Sequence, residues 1–375
     1  MKICQVGSFS NSSNEGKREI KAIGGISGYI GDLVSYLLEV NHNIIFIGKI
    51  YFFKPQQNLV YKEIQKNPTS TNMFLLTLFL KSFFIRLSGD TIIHAHRPDH
   101  FIAFSWFRRN LSVVTLHGQQ SRTVFSRKGI IIRWIYGALE YFALKKVTVV
   151  LATDKITEQY YLSIYPWLKD KIKVIPTGID TTKFTVMDKG SCRDLLEIEH
   201  DTKVIMYIGR IEPPKRVNDI VLSFQLVHEV FPKTKLVIIG DGILYGEITS
   251  LIRELHLSDS VILMGVIMRE KLPIWINAAD ATVLYSYNEG SPLSVKESLA
   301  CGVPVIANRV GDISDVIVNG VNGYIIEQED NRSISELMMS CLYNRPIKRE
   351  ACVQSIQKYI LGTVYKNIEL VYENL

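Results

Sequence analysis

Cysteine is scarce in this 375-residue chain: there are five, at positions 4, 192, 301, 341 and 352, with no Cys-x-x-Cys pair. An odd and scattered set builds neither a disulfide framework nor a zinc site, so the thiols read as buried side chains. Long apolar runs are missing as well. No stretch reaches 18 consecutive uncharged apolar residues, which excludes a transmembrane helix of ordinary length. There is no Asp-x-Asp, and the eight histidines lack metal-ligand spacing, so no metal site is expected. The opening Met1-Lys-Ile-Cys-Gln-Val-Gly7 turns polar too soon for a signal peptide, and a cytoplasmic chain is expected.

What is present is an ordinary globular composition, 47% hydrophobic and 21% charged, at a length that splits into two or three domains. Charge is uneven. Residues 1–175 carry 23 Lys+Arg against 11 Asp+Glu, and the remainder 20 against 26. In the basic half the cations are interleaved with apolar residues, as in Trp106-Phe-Arg-Arg109, Phe125-Ser-Arg-Lys128, Arg133-Trp-Ile-Tyr136 and Lys145-Lys146. That mixture suits peripheral contact with an anionic membrane better than a nucleic-acid groove, although a solvated helix face gives the same pattern. No nucleic-acid partner is expected.

Apolar runs alternate with helical periodicity from end to end, which argues for α/β with mainly parallel sheets. In the first half strands are expected at residues 2–6, 44–47, 91–94, 113–116, 147–152 and 173–175. The second sheet is expected from 204–208, 236–239, 261–263, 281–285 and 303–307. Ile30, Leu33, Val34, Leu37 and Leu38 lie on one face of a helix that follows a turn containing Gly24, Gly25 and Gly28. Those glycines do not make Gly-x-Gly-x-x-Gly, and no acid follows the next strand, so a nicotinamide cofactor is not indicated. Residues 72–87 are mostly Leu and Phe with no polar side. They are expected to form a helix packed into the first domain, with lipid contact as the second reading. Pro176 to Phe184 reads as a hinge.

The second half holds the chemistry. After the strand at 204–208 comes Gly209-Arg-Ile-Glu-Pro-Pro-Lys-Arg216, a loop opening a helix near Val217, whose Arg210, Lys215 and helix N-terminus can neutralise a diphosphate. A solvated basic loop is the plainer alternative. Further on, Glu289-Gly-Ser-Pro-Leu-Ser-Val-Lys-Glu297 spans a strand-to-helix handover. Ser291 is the expected cap and Pro292 the first helical residue. Glu289 falls in the loop and Glu297 roughly 7 to 8 Å along the helix, a spacing that fits two polyols flanking a diphosphate. Glutamates that merely complement a helix dipole would look the same.

Together these segments resemble the retaining glycosyltransferases of family 4. The motifs, in order, are His117-Gly118, Gly209-Arg210 to Lys215, Gly240-Asp241-Gly242, Glu289 to Glu297 and Gly302 to Val305. The resemblance implies a GT-B fold: two Rossmann-like domains with mainly parallel sheets facing a central cleft. It implies an acceptor-side domain at 1–180, a nucleotide-sugar domain at 181–352, and a final helix at 353–375 returning to the first domain. It gives Arg210 and Lys215 to the donor diphosphate, Glu297 to the ribose, Glu289 to the transferred sugar, and His117 to that sugar or the reacting centre. Gly24 and Gly25 would approach the donor, as would Gly209, Ser291, Pro292 and Leu293; Gly265 and Val266 correspond to the base-recognition loop.

No cofactor is implied beyond the donor, for which a UDP-sugar is the family default and a GDP-sugar the alternative, and the acceptor is a glycan or a lipid-linked glycan. Ser291-Pro292 replaces a more usual aromatic, and Lys296 stands where leucine is common, which leaves the sugar open. A UDP-sugar epimerase of the same fold and a non-catalytic subunit of a glycan-assembly complex are the alternatives.

Overall fold

The computed structural model describes residues 1–8, 25–49, 57–64, 71–106, 109–119, 130–344 and 347–375. They fall into two compact units, Met1–Thr177 with Gly362–Leu375, and Gly178–Leu361. The first unit holds a seven-stranded sheet of β1 (Lys2–Ser8), β2 (Asn43–Lys49), β3 (Leu59–Glu63), β4 (Thr91–Ala95), β5 (Ser112–Leu116), β6 (Val149–Ala152) and β7 (Ile172–Val174). The order is β3-β2-β1-β4-β5-β6-β7, parallel throughout. The second holds β8 (Lys203–Ile208), β9 (Thr234–Ile239), β10 (Val261–Gly265), β11 (Ala281–Leu284), β12 (Val305–Asn308) and β13 (Gly323–Ile326), ordered β10-β9-β8-β11-β12-β13 and likewise parallel.

Parallel strands covered on both faces are apolar along their length, and β8 shows how one run serves two cores. Val204 and Met206 enter one buried cluster, while Ile205 and Tyr207 enter the other, as strand alternation requires. The order of the second sheet reverses between β8 and β11. In doubly wound sheets, ligands bind outside the carboxyl ends of the strands at that switch point.

The helix Ile26–Glu39 buries Ile30, Leu33, Val34, Leu37 and Leu38, the stripe expected from their spacing. Gly24 lies outside the described residues. The segment after residue 352 is not one helix. A helix at Arg349–Ser355 gives way to a 3₁₀ turn at Gln357–Tyr359 and a last helix, Leu361–Glu373. Between them the chain is tied into the second unit, Ile179 N–H donating to Tyr359 O at 2.8 Å and Leu361 N–H to Ile179 O at 2.9 Å. The last helix then belongs to the first unit, where Tyr365 Oη donates to Tyr29 O at 3.2 Å and His42 pairs with Glu369 at 2.8 Å.

Residues 72–87 differ from the expectation of simple packing. The helix Thr71–Ser82 buries Phe74 and Leu78, yet Leu76, Phe79 and Leu80, and Phe83 and Phe84 just beyond, are exposed. No described helix is long and apolar enough to cross a membrane.

Candidate donor site

In the second unit the loop after β8 and the loop after β11 are joined at the switch point. The Tyr287 N–H donates to Pro214 O at 2.8 Å. Lys215 closes the short 3₁₀ turn Pro213–Lys215, and its Nζ donates to Glu289 Oε1 at 2.5 Å. Ser286 Oγ donates to the same oxygen at 2.8 Å. Both members of the ion pair are largely shielded, with side chains 17% and 11% exposed, so the contact is stronger than a surface pair. The expected partners of these residues are separate, diphosphate and sugar; in the structure the two side chains hold each other.

Arg210 stands apart. Its side chain is 69% exposed and pairs with Glu212 at 3.0 Å, so the loop does not converge its two expected cations. The residue that braces this loop is Arg216, which the sequence reading passed over. It caps the helix Val217–Val230 in the left-handed region, φ 45°, an uncommon place for a residue with a Cβ. Its guanidinium lies 3.8 Å from the Tyr285 ring centroid and bonds Asp219 at 2.8 Å and Glu329 at 2.7 Å.

Gly209 ends β8 beside Gly240, whose Cβ, if it had one, would stand 1.8 Å from Gly209 O at a φ of +148°. Only glycine fits there. Gly265, at φ +64°, ends β10 and accepts the Gly240 N–H at 2.8 Å. Val266 is partly buried in the loop that follows. Four residues past Gly265, Arg269 reaches Glu297 Oε1 at 3.1 Å. The expected base loop and the expected ribose carboxylate are therefore linked directly, through an arginine that sequence reasoning missed.

The helix start is one residue later than expected. The helix is Leu293–Ala300, Pro292 occupies the N-cap, and no side chain caps it. Ser291 does not cap; its Oγ donates to Asp312 Oδ2 at 2.6 Å. Among the described residues no side chain accepts from the first-turn N–H groups, the arrangement that takes anionic oxygens. Glu297, 5% exposed, follows one turn in.

In the first unit, His117 follows β5 and is partly buried. Its ring lies 4.8 Å from that of Tyr29, and Nε2 is 3.4 Å from His96 Nδ1. Burial lowers His117 to about 3, so the ring is neutral near pH 7. Behind it, His96 Nε2 bonds Gln5 Oε1 at 2.8 Å, Gln5 Nε2 donates to Tyr372 Oη at 3.3 Å, and His94 joins Tyr372 to Thr115. The His94-Ala-His96 spacing, two residues apart at a strand end, was the available signal for this cluster. Gly25, at φ +63°, caps the helix Ile26–Glu39.

Comparison with known proteins follows the same division. Residues 189–359 match the family described as Glycosyl transferases group 1, and residues 23–183 match Glycosyltransferase Family 4. The chain is 28% identical over 212 residues to D-inositol 3-phosphate glycosyltransferase of Streptosporangium roseum, covering 54% of this chain and 48% of that protein. That alignment spans about half of the relative's length. It is 26% identical over 347 residues to N-acetyl-alpha-D-glucosaminyl L-malate synthase of Bacillus anthracis, covering 88% and 87%. Among solved structures, Anabaena HepE in complex with UDP-glucose superposes with a TM-score of 0.76 at 17% identity, over all of both chains.

Proposed function

The chain belongs to glycosyltransferase family 4 and has the GT-B fold, and from that premise we propose that it is a retaining, metal-independent hexosyltransferase. It takes the sugar of a nucleoside diphosphate sugar, a UDP-sugar, to a hydroxyl of a glycan or lipid-linked glycan in cell-surface polysaccharide or glycolipid assembly. The observation that carries this reading is the Lys215–Glu289 pair at the switch point, beside a helix N-terminus that no side chain caps. A donor entering there meets a cation and free N–H groups for its diphosphate and a carboxylate for its sugar.

In this mechanism Lys215, Arg210 and the N-terminus of the helix Leu293–Ala300 stabilise the charge that develops on the leaving diphosphate. Glu289 orients the sugar hydroxyls and Glu297 the ribose. The acceptor hydroxyl attacks the anomeric carbon on the face the diphosphate leaves, the bond to the diphosphate oxygen breaks, and the hydroxyl proton passes to that departing oxygen, while His117, neutral, accepts a hydrogen bond from the sugar or donates one. The UDP choice draws on the family and on the UDP-glucose bound by Anabaena HepE. A thermal-shift panel of nucleotides and sugar nucleotides tests the reading: a UDP-sugar at 100 times its Kd adds about 2.7 kcal/mol. A panel in which no nucleotide raises the melting temperature rejects it.

We further infer that the first unit makes peripheral contact with anionic lipid. Support comes from the exposed side of the segment holding Leu76, Leu80, Phe83 and Phe84, and from Trp134 and Ile135 on the helix Ile130–Lys146. Exposed cations Lys81, Arg86, Arg133 and Lys145 share these two segments. Apolar side chains among cations are the composition of an interfacial surface.

A further inference from the structure

The structure assigns Lys296 as a positioning residue that keeps the donor-binding helix N-terminus open, an inference that rests on the reading of residues 289–297 as the donor site. Lys296 is completely buried, at 0% exposure. Its Nζ donates to Asp312 Oδ2 at 2.7 Å and to Ser291 Oγ, and lies 4.3 Å over the Tyr359 ring. Ser291 Oγ passes its own proton toward the same Asp312 oxygen at 2.6 Å. The backbone follows, since the Asp312 N–H donates to Gly290 O at 2.9 Å.

A buried ion pair is a costly way to fill a core, and leucine at 296 would pack without desolvating a charge. What the pair achieves is geometric. The sequence around 291 favours a serine cap with proline as the first helical residue; the Lys296–Asp312 pair instead draws the Ser291 hydroxyl down into the protein. The first-turn N–H groups that Ser291 would otherwise occupy remain open. Without the clamp, Ser291 competes with the diphosphate for them.

The test compares wild type, Lys296→Leu/Asp312→Ala, which removes both charges together, and the same double variant carrying Ser291→Ala. Two readouts are taken: amide hydrogen exchange at 293 and 294 without ligand, and UDP affinity by calorimetry. The double variant is expected to slow that exchange at least fivefold and weaken UDP at least fivefold, and Ser291→Ala is expected to return both to within twofold of wild type. A weakening that Ser291→Ala does not reverse marks a merely structural pair and overturns the inference, as does exchange that stays unchanged. Wild type that fails to bind UDP while the exchange still switches rejects the donor-site reading and leaves the clamp standing.

Discussion

Lys215 and Glu289, 74 residues apart in sequence, meet at 2.5 Å where the loops after β8 and β11 converge. Under the proposed donor-site reading, the contact gives an anionic sugar nucleotide a way in past two carboxylates. With Glu289 held by Lys215 and Glu297 by Arg269 at 3.1 Å, neither acid presents an unscreened charge to the diphosphate. On that reading, donor binding exchanges one set of partners for another.

Lys215→Ala is expected to reduce kcat by on the order of a hundredfold or more, the scale for losing a preorganised charge at a reacting centre. Because it also strands a shielded Glu289, its melting temperature should fall. Arg210→Ala removes a side chain 69% exposed, so it should weaken donor binding with the melting temperature unchanged. Steady-state kinetics and thermal unfolding of the two variants check the contrast; transfer at the wild-type rate in Lys215→Ala sinks the assignment.

His100 gives a pH prediction. It is 2% exposed, neither ring nitrogen has a hydrogen-bond partner among the described residues, and burial lowers it to about 4 despite the nearby Asp99. His94, held between Tyr372 and Thr115, is lowered to about 3 by burial and then by His117. Unfolded histidine titrates at about 6.5. As pH falls through that value the unfolded chain takes up protons and the folded chain does not, so stability declines between the unfolded and folded values. The slope is up to about 1.4 kcal/mol per pH unit for each such histidine. His100→Leu should leave stability at pH 7 intact and flatten the decline between pH 6.5 and 5 in urea unfolding. An unaltered slope would mean that burial does not keep this ring neutral.

Much of this was legible in the sequence, for reasons that can be named. Apolar runs fully buried in parallel strands announce themselves, so eleven strand positions and the stripe from Ile30 to Leu38 were readable. The edge strands β3 and β13 were not: Leu59–Glu63 mixes apolar and charged residues, and Gly323–Ile326 begins on the last glycine of the turn-like run Asn319-Gly-Val-Asn-Gly323. At the site, the spacing from Glu289 to Glu297 marked the loop and helix. The turn of Ser291 away from its capping role was invisible, because Asp312 lies 21 residues further on. Arg216 was hidden for a different reason, since a non-glycine residue at φ 45° is held not only by Asp219 three residues on but by Tyr285 and Glu329, far away in sequence.

Gly311 separates packing from propensity. A Cβ there would stand 1.7 Å from Gly290 O, at a φ of +57°, so Gly311→Ala must push the 289–292 loop away. We expect a loss of roughly 1–3 kcal/mol and a donor KM raised at least tenfold. Gly246→Ala is the control. It sits in the helix Tyr245–Glu254 with nothing within 4 Å of the added Cβ, and alanine there should stabilise by about 0.4–1 kcal/mol. A Gly311→Ala protein with wild-type KM would show that the loop tolerates displacement.

The exposed apolar surface of the first unit makes the last prediction. Phe84 is 86% exposed and Trp134 76%, and neither position is needed to fill a core, so Phe84→Ser and Trp134→Ser should leave the melting temperature within a degree or two. If these side chains enter a lipid interface, co-sedimentation with vesicles containing phosphatidylglycerol should fall in both variants, and further in the pair together. Two forces are separable by salt. The attraction of Lys81, Arg86, Arg133 and Lys145 to anionic headgroups weakens as the Debye length shrinks from about 10 Å at 0.1 M to 3 Å at 1 M, whereas apolar insertion does not. Wild type should therefore lose most, but not all, binding at high salt, and the double variant should lose all of it. Binding to neutral phosphatidylcholine vesicles as strong as to anionic ones would remove the electrostatic part of the reading. Variants that sediment like wild type would remove the apolar part.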